Sequence, residues 1–428
     1  MKISHSPQTF SFTTLDYLFG AVLLCYPVLL FLVRGGMNGS LFVLAVLSLY
    51  LLTSSKSNVN IFNREDMIFA IAMSSGLMVI LISQLYHHDM AGRYFDSAAR
   101  FLLAIPVYFA LRLIKEKVIL IVQYAFPLGA IAAFVSVMMT DASVRYNAST
   151  SYINHIHLGN LALILGCFSI FSINWGKEDG LFLKLFKVSG LVAGLTVSVI
   201  SSARGGWIAI PIFVAVYIHF RIKGKFLNKA ALAMLIIGAV GLLGYFFVDP
   251  VHQRVDMIYF DLKLLVAGNA DTSIGVRLQL WKVAFFLIAE NPILGVGADG
   301  FGRVMDTLSA KGVITPFAAN LGKAEVHNEI LANTVRFGIF GFFSILAIYF
   351  VPFYLFLHAA KSGTHQQIGA AMMGMCLTLG FFVFGLTVET FDLKMTAAFY
   401  SLTVAVLLAA ATREASAHVG NLSNNSST

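Results

Sequence analysis

The sequence predicts an all-α integral membrane protein with about twelve transmembrane helices and one long outer loop containing amphipathic helices. Three observations carry that prediction. The chain has 428 residues, 58% of them hydrophobic and 12% charged, with a mean hydropathy of +0.82. A soluble globular protein is nearer ~25% charged, so this chain cannot cover a water-facing surface. Its apolar runs approach the ~20 residues that cross a hydrocarbon core of ~30 Å. Backbone groups there must bond internally, which makes helices the default. The third observation is the placement of Lys and Arg along the chain.

Residues 1–14 are polar, and Lys2 is the one Lys or Arg among them. The run 15–33 follows without a clear small-residue cleavage site and reads as a retained span rather than a signal peptide. Further spans are expected at about 40–54, 67–86, 98–111, 118–140, 156–174, 185–200, 205–220 and 230–248, then 337–357, 366–388 and 395–411. With the N-terminus inside, the short inner segments hold fifteen Lys and Arg, and the short outer loops hold five: Arg34, Arg93, Arg145, Arg204 and Lys394. The positive-inside rule then puts both termini inside and the long loop outside. The chain divides into spans 1–9 (1–248), the outer loop (249–327), spans 10–12 (328–411) and a polar, disordered tail (412–428). The net charge of +8 follows this topology, so nucleic acid is not an expected partner. Cys25, Cys167 and Cys376 fall inside apolar spans and read as buried, inert thiols.

The outer loop has its own pattern. Residues 251–266 mix apolar and charged positions at helical spacing and suit a membrane surface. Residues 276–290 form a second amphipathic helix, which Asn291-Pro292 ends because proline cannot continue the hydrogen-bond ladder. A glycine-rich turn with Gly295, Gly297 and Gly300 follows, then a stretch of little pattern at 304–322. The three glycines match G-x-G-x-x-G, but a dinucleotide site needs a strand before that motif. A turn that lets backbone approach a ligand or a neighbouring helix is the better reading.

Several polar residues stand out at this face. Two readings stay open for Arg204, in S-S-A-R-G-G-W: an interfacial arginine reaching for headgroups, or an anion site beside a helix start opened by Gly205 and Gly206, with bidentate donors for phosphate. Arg277 lies in the first turn of the second loop helix and taken alone reads as a solvated cation. His327 precedes Asn328 and Glu329 at a helix start, where either neighbour would orient the ring or cap the helix; imidazole suits proton transfer. Arg145, His155 and His157 surround the start of the sixth span, and Glu389 and Asp392 are candidate partners for outer cations. Neither His87-His88 nor His155-x-His157 has carboxylates at metal-ligand spacing, so no metal site is expected.

Four segments in order, S-S-A-R-G-G-W-I-A-I-P (201–211), T-S-I-G-V-R-L-Q-L-W (272–281), N-P-I-L-G-V-G-A-D-G-F (291–301) and V-H-N-E-I-L-A-N-T-V-R-F-G-I-F-G (326–341), resemble the bacterial O-antigen ligases and the wider O-antigen ligase/polymerase superfamily. The resemblance covers roughly residues 200–341. It implies a GT-C-like, twelve-span glycosyltransferase that needs no cofactor. Such an enzyme moves a glycan from undecaprenyl diphosphate to a lipid A–core sugar at the periplasmic face of the bacterial inner membrane. It also implies that Arg204 and Arg277 hold the diphosphate and His327 is catalytic, with Arg145, Asn328 and Glu329 as further substrate-binding or orienting candidates. Two fixed cations suit a leaving group with two negative charges, and a base is needed to make the acceptor hydroxyl a nucleophile. An O-antigen polymerase or a protein O-oligosaccharyltransferase shares these motifs and differs in acceptor. A polysaccharide flippase or exporter would place ionisable residues at mid-membrane along a path, whereas here they collect at one face.

Overall fold

The computed structural model describes residues 13–54, 63–140 and 149–413, with Arg204, Pro250 and Arg254 described by backbone alone. Arg145, the polar N-terminal residues before Thr13 and the tail beyond Arg413 lie outside the described residues.

All regular structure among the described residues is helical. The first half holds α1 (Thr14–Leu32), α2 (Gly36–Ser54), α3 (Arg64–His87), α4 (Phe95–Leu113), the short α5 (Glu116–Ile119), α6 (Val122–Met138), α7 (His155–Phe171) and α8 (Leu181–Ile200). Then come the single turn α9 (Arg204–Trp207), α10 (Ala209–Arg221) and α11 (Phe226–Phe247). The long loop contains α12 (Asp249–Val266), α13 (Ser273–Glu290), α14 (Gly300–Ala310) and α15 (Pro316–Gly322). The chain re-enters the bundle with α16 (Glu329–Ser362), α17 (His365–Gly385) and α18 (Lys394–Thr412).

Local sequence explains the boundaries. Thr13 with Asp16, Asn63 with Asp66 and Thr364 with Gln367 form reciprocal capping boxes that start α1, α3 and α17, each satisfying otherwise orphaned backbone donors. Among the described residues, ten helices, with α5 and α6 counted as one, are long and apolar enough to cross a membrane. Two expected spans fall short: α7 has 17 residues, and α10 has 13 because the chain turns through α9 before it.

Packing is tightest around α17 and α18, whose residues are mostly buried. Small residues let α6, α7 and α8 approach closely. A Cβ on Gly166 would meet Gly194 Cα at 3.2 Å, and one on Gly190 would meet Pro127 Cβ at 2.7 Å, the small-residue contact that lets membrane helices pack backbone to backbone. Cys376 is buried in this core, but Cys25 is exposed on the outside of the bundle. The expectation of three buried thiols is corrected there, because an apolar residue of α1 faces either the core or the bundle's surround.

The loop is a small layer with a core of its own. Val276, Leu280 and Ala284 of α13 pack with Phe301, Met305, Ala318 and Val335. The expected patternless stretch 304–322 is in fact α14, α15 and a short link. The glycine-rich turn serves a helix contact. Helix α16 is broken at Gly338 (φ 62°, ψ −149°), and the turn inserts there. Val296 N donates to Val335 O (2.9 Å), Gly297 N to Arg336 O (3.0 Å), and Ile339 N to Pro292 O (2.9 Å). The kink thus keeps its backbone groups bonded. Gly295 adopts φ 68°, and a Cβ on it would lie 2.5 Å from the Arg336 carbonyl carbon.

Candidate active site

A cavity of about 650 Å³ opens where the loop layer meets the bundle. Its apolar wall comes from Trp207 and Ile208 with Val255 and Ile258 of α12, and its polar wall from His155, Ser202, Ser273 and Arg277. Two glycines let α9 sit this deep. A Cβ on Gly205 would clash with Thr387 Oγ1, and one on Gly206 with Asn160 Oδ1. Ala203 and Gly205, on either side of Arg204, both line the cavity, so the backbone of Arg204 lies at its edge.

Arg277 is partly buried in this wall. Its Nη1 donates to Ser273 Oγ (2.7 Å) and Ser273 O (3.0 Å), while Nε is buried without a partner. Burial lowers its pKa, and the charges of Glu325 and Asp261 oppose that shift; a guanidinium nevertheless stays cationic at neutral pH. A fork with an unused buried donor is one that an incoming oxyanion can complete. Ser202 adds a second open group: its hydroxyl is buried without a partner, and its backbone is left-handed (φ 60°).

His327 does not itself line the cavity. It lies in the segment between α15 and α16, in contact with Glu325. Nδ1 of His327 lies against Oε1 of Glu325, and Glu325 interacts through charge with Arg277, His157 and Glu389. His327 has φ 59°, an uncommon conformation for a residue with a Cβ. Both residues beside it are anchored. Val326 N donates to Glu389 Oε1 (2.5 Å), and Asn328 Oδ1 accepts from Leu331 N (3.0 Å) as the N-cap of α16.

The structure thus brings Arg277, His327 and the backbone of Arg204 to one end of the bundle. Asn328 and Glu329 do not orient the imidazole. Asn328 caps the helix, and Glu329 is buried, accepting from Asn333 Nδ2 (2.8 Å) and Phe391 N (2.9 Å). His155 lines the cavity, and His157 is buried on the same helix. Glu389 pairs with a cation: Arg336 Nη1 donates to its Oε2 at 2.5 Å. A second cleft of about 240 Å³ borders Lys323, Ala324, Glu329 and Arg336 as well as Arg93 and Asp299. Glu325 and Ser202 were missed by sequence reasoning. Glu325 stands two residues before the motif histidine, a spacing that was there to be read.

Residues 189–346, from α8 into α16, match the O-antigen ligase family. Two relatives extend the comparison. A Haemophilus influenzae protein described as uncharacterized is 27% identical over 363 residues, 83% of this chain and 87% of that protein. An Escherichia coli protein named O-antigen ligase is 26% identical over 196 residues, 45% of each chain.

Proposed function

We propose that this chain of the O-antigen ligase superfamily transfers a glycan from undecaprenyl diphosphate to a sugar hydroxyl of a lipid A–core acceptor. The reaction takes place at the periplasmic face of the inner membrane, with the loop layer outside and both termini inside. The observation that carries this reading is Arg277, a part-buried guanidinium with an unused donor. It lies in a largely apolar cavity, and the charge of Glu325, which touches a histidine, favours its cationic form. A lipid-linked diphosphate has matching parts: an apolar tail for the α12 wall and phosphate oxygens for the guanidinium.

In the reaction, His327 Nε2 takes the proton of the acceptor hydroxyl. The hydroxyl oxygen attacks the anomeric carbon of the donor, and the bond from that carbon to the phosphate oxygen breaks. The electron pair leaves on the diphosphate, where Arg277 and Arg204 stabilise the developing charge. The imidazolium then returns its proton to solvent. Direct displacement inverts the anomeric centre. The residues assigned to these steps require no metal or cofactor.

The test is ligation by purified protein given undecaprenyl-diphosphate-linked glycan and lipid A–core in EDTA. A ladder of ligated product is expected. Loss of activity in EDTA with recovery on adding magnesium or manganese would overturn the arginine clamp. Lengthened lipid-linked glycan in the absence of lipid A–core would instead identify a polymerase.

A further inference from the structure

We propose that Glu325 is the positioning residue for His327. Its carboxylate holds the proton of the ring on Nδ1, leaves Nε2 free to take the acceptor's proton, and offsets the charge the ring then gains. This rests on reading His327 as the general base.

The contact itself is the first observation: Nδ1 of His327 lies against Oε1 of Glu325 in a close ion-pair contact, although neither ring nitrogen carries a described hydrogen bond. The environment is the second. The charge of Glu325 acts on Arg277 of α13, His157 of α7 and Glu389 between α17 and α18. A histidine that gains a proton needs a nearby negative charge, and Glu325 is the carboxylate in contact with it. Third, Glu325 is bonded unlike the other enclosed carboxylates. Asp16, Asp66, Asp179, Glu329 and Glu389 each accept a backbone N–H. The Glu325 side chain holds no backbone group among the described bonds, and its described contact is the imidazole. Finally, the geometry is preorganised. A left-handed residue persists only where its surroundings hold it, and here Val326 and Asn328 are both pinned. A ring nitrogen fixed by a carboxylate in this way sets which nitrogen acts.

The experiment compares wild type, Glu325→Gln, Glu325→Asp and His327→Gln in lipid nanodiscs. It measures thermal unfolding, affinity for undecaprenyl-diphosphate-linked glycan, single-turnover transfer to lipid A–core, and the ¹⁵N shifts of His327. A glutamine presents either an acceptor or a donor to Nδ1, so it no longer dictates the tautomer. Glu325→Gln is therefore expected to fold normally and bind donor within about threefold of wild type, yet transfer about 10²–10³-fold more slowly. Its His327 ¹⁵N shifts should show the proton shared between the two nitrogens, where wild type shows it on Nδ1. Glu325→Asp, which keeps the charge, should recover part of the rate. The proposal is overturned if Glu325→Gln transfers within about threefold of wild type while His327→Gln is inactive. It is equally overturned if Glu325→Gln fails to fold or loses rate only in step with donor affinity, since Glu325 would then be structural. Normal transfer by His327→Gln would instead refute the general-base reading, and the ¹⁵N shifts would still report whether Glu325 fixes the ring.

Discussion

Arg277 and Arg336 each border a cleft at the same end of the bundle, and they are bonded in opposite ways. Arg336 lies in α16 beside the kink, with its guanidinium closed onto the buried carboxylate of Glu389 at 2.5 Å. Glu389 in turn holds Val326 N. Arg277 leans on Ser273 of its own helix, with Nε buried and unpartnered. An enclosed cation paired with a buried carboxylate holds structure together, whereas one with a buried donor left without an acceptor is available to a ligand. Both arginines stand in segments that resemble the same family, so only their bonding separates structural from chemical roles.

Arg336→Ala should give the largest effect. It strands the Glu389 carboxylate in a buried site, which typically costs about 3–5 kcal/mol. Thermal unfolding in detergent should show a large fall in midpoint. Arg336→Met combined with Glu389→Gln should be milder than the single change, because no buried charge is left over. If the single variant melted like wild type, the contrast between the two arginines would collapse.

Arg277→Lys comes next. Lysine keeps the charge but lacks the planar fork that grips two phosphate oxygens. Transfer should fall by about 10²–10³-fold while the unfolding midpoint stays near wild type. Near-normal turnover would return Arg277 to a solvated helix cation.

Gly295→Ala tests whether the turn that supports Arg336 is needed. At φ 68°, with a Cβ 2.5 Å from the Arg336 carbonyl carbon, alanine should cost about 1–3 kcal/mol. Unfolding midpoints of Gly295→Ala and Gly300→Ala would show whether the loss is specific to the left-handed position.

Arg93→Ala should do least. Its 2.6 Å pair with Asp299 is well exposed, and solvent screening leaves such pairs with little net contribution. A large loss of transfer in this variant would show that the second cleft takes part in the reaction.

Much of the fold was legible because hydropathy is a long-window signal. All twelve apolar runs became helices, including 40–54 and 98–111, which lengthened to Gly36–Ser54 and Phe95–Leu113. Helix α14 was missed, although Phe301, Val304, Met305 and Leu308 recur at helical spacing; its glycines and Asp306 masked the pattern. The kink in α16 was not legible, because it depends on a glycine turn some forty residues earlier in the chain filling the break. Of the candidate site, motif order singled out Arg277 and His327; Arg277 lines the cavity and His327 does not. The bond between Arg336 and Glu389 did not, since nothing local says which outer carboxylate meets which cation. Glu325 was passed over although it stands two residues before His327, whose left-handed backbone residue type does not announce.

The central claim is that Arg277 holds the donor and His327 moves the proton. The most direct measurement is donor affinity and single-turnover transfer on the same purified His327→Gln protein. Glutamine can hydrogen-bond in the imidazole's place but cannot accept the proton. The expected result is near-normal affinity for undecaprenyl-diphosphate-linked glycan, with transfer reduced by about 10²–10⁴-fold. Transfer close to the wild-type rate, or a collapse in affinity with normal transfer from bound donor, would contradict it.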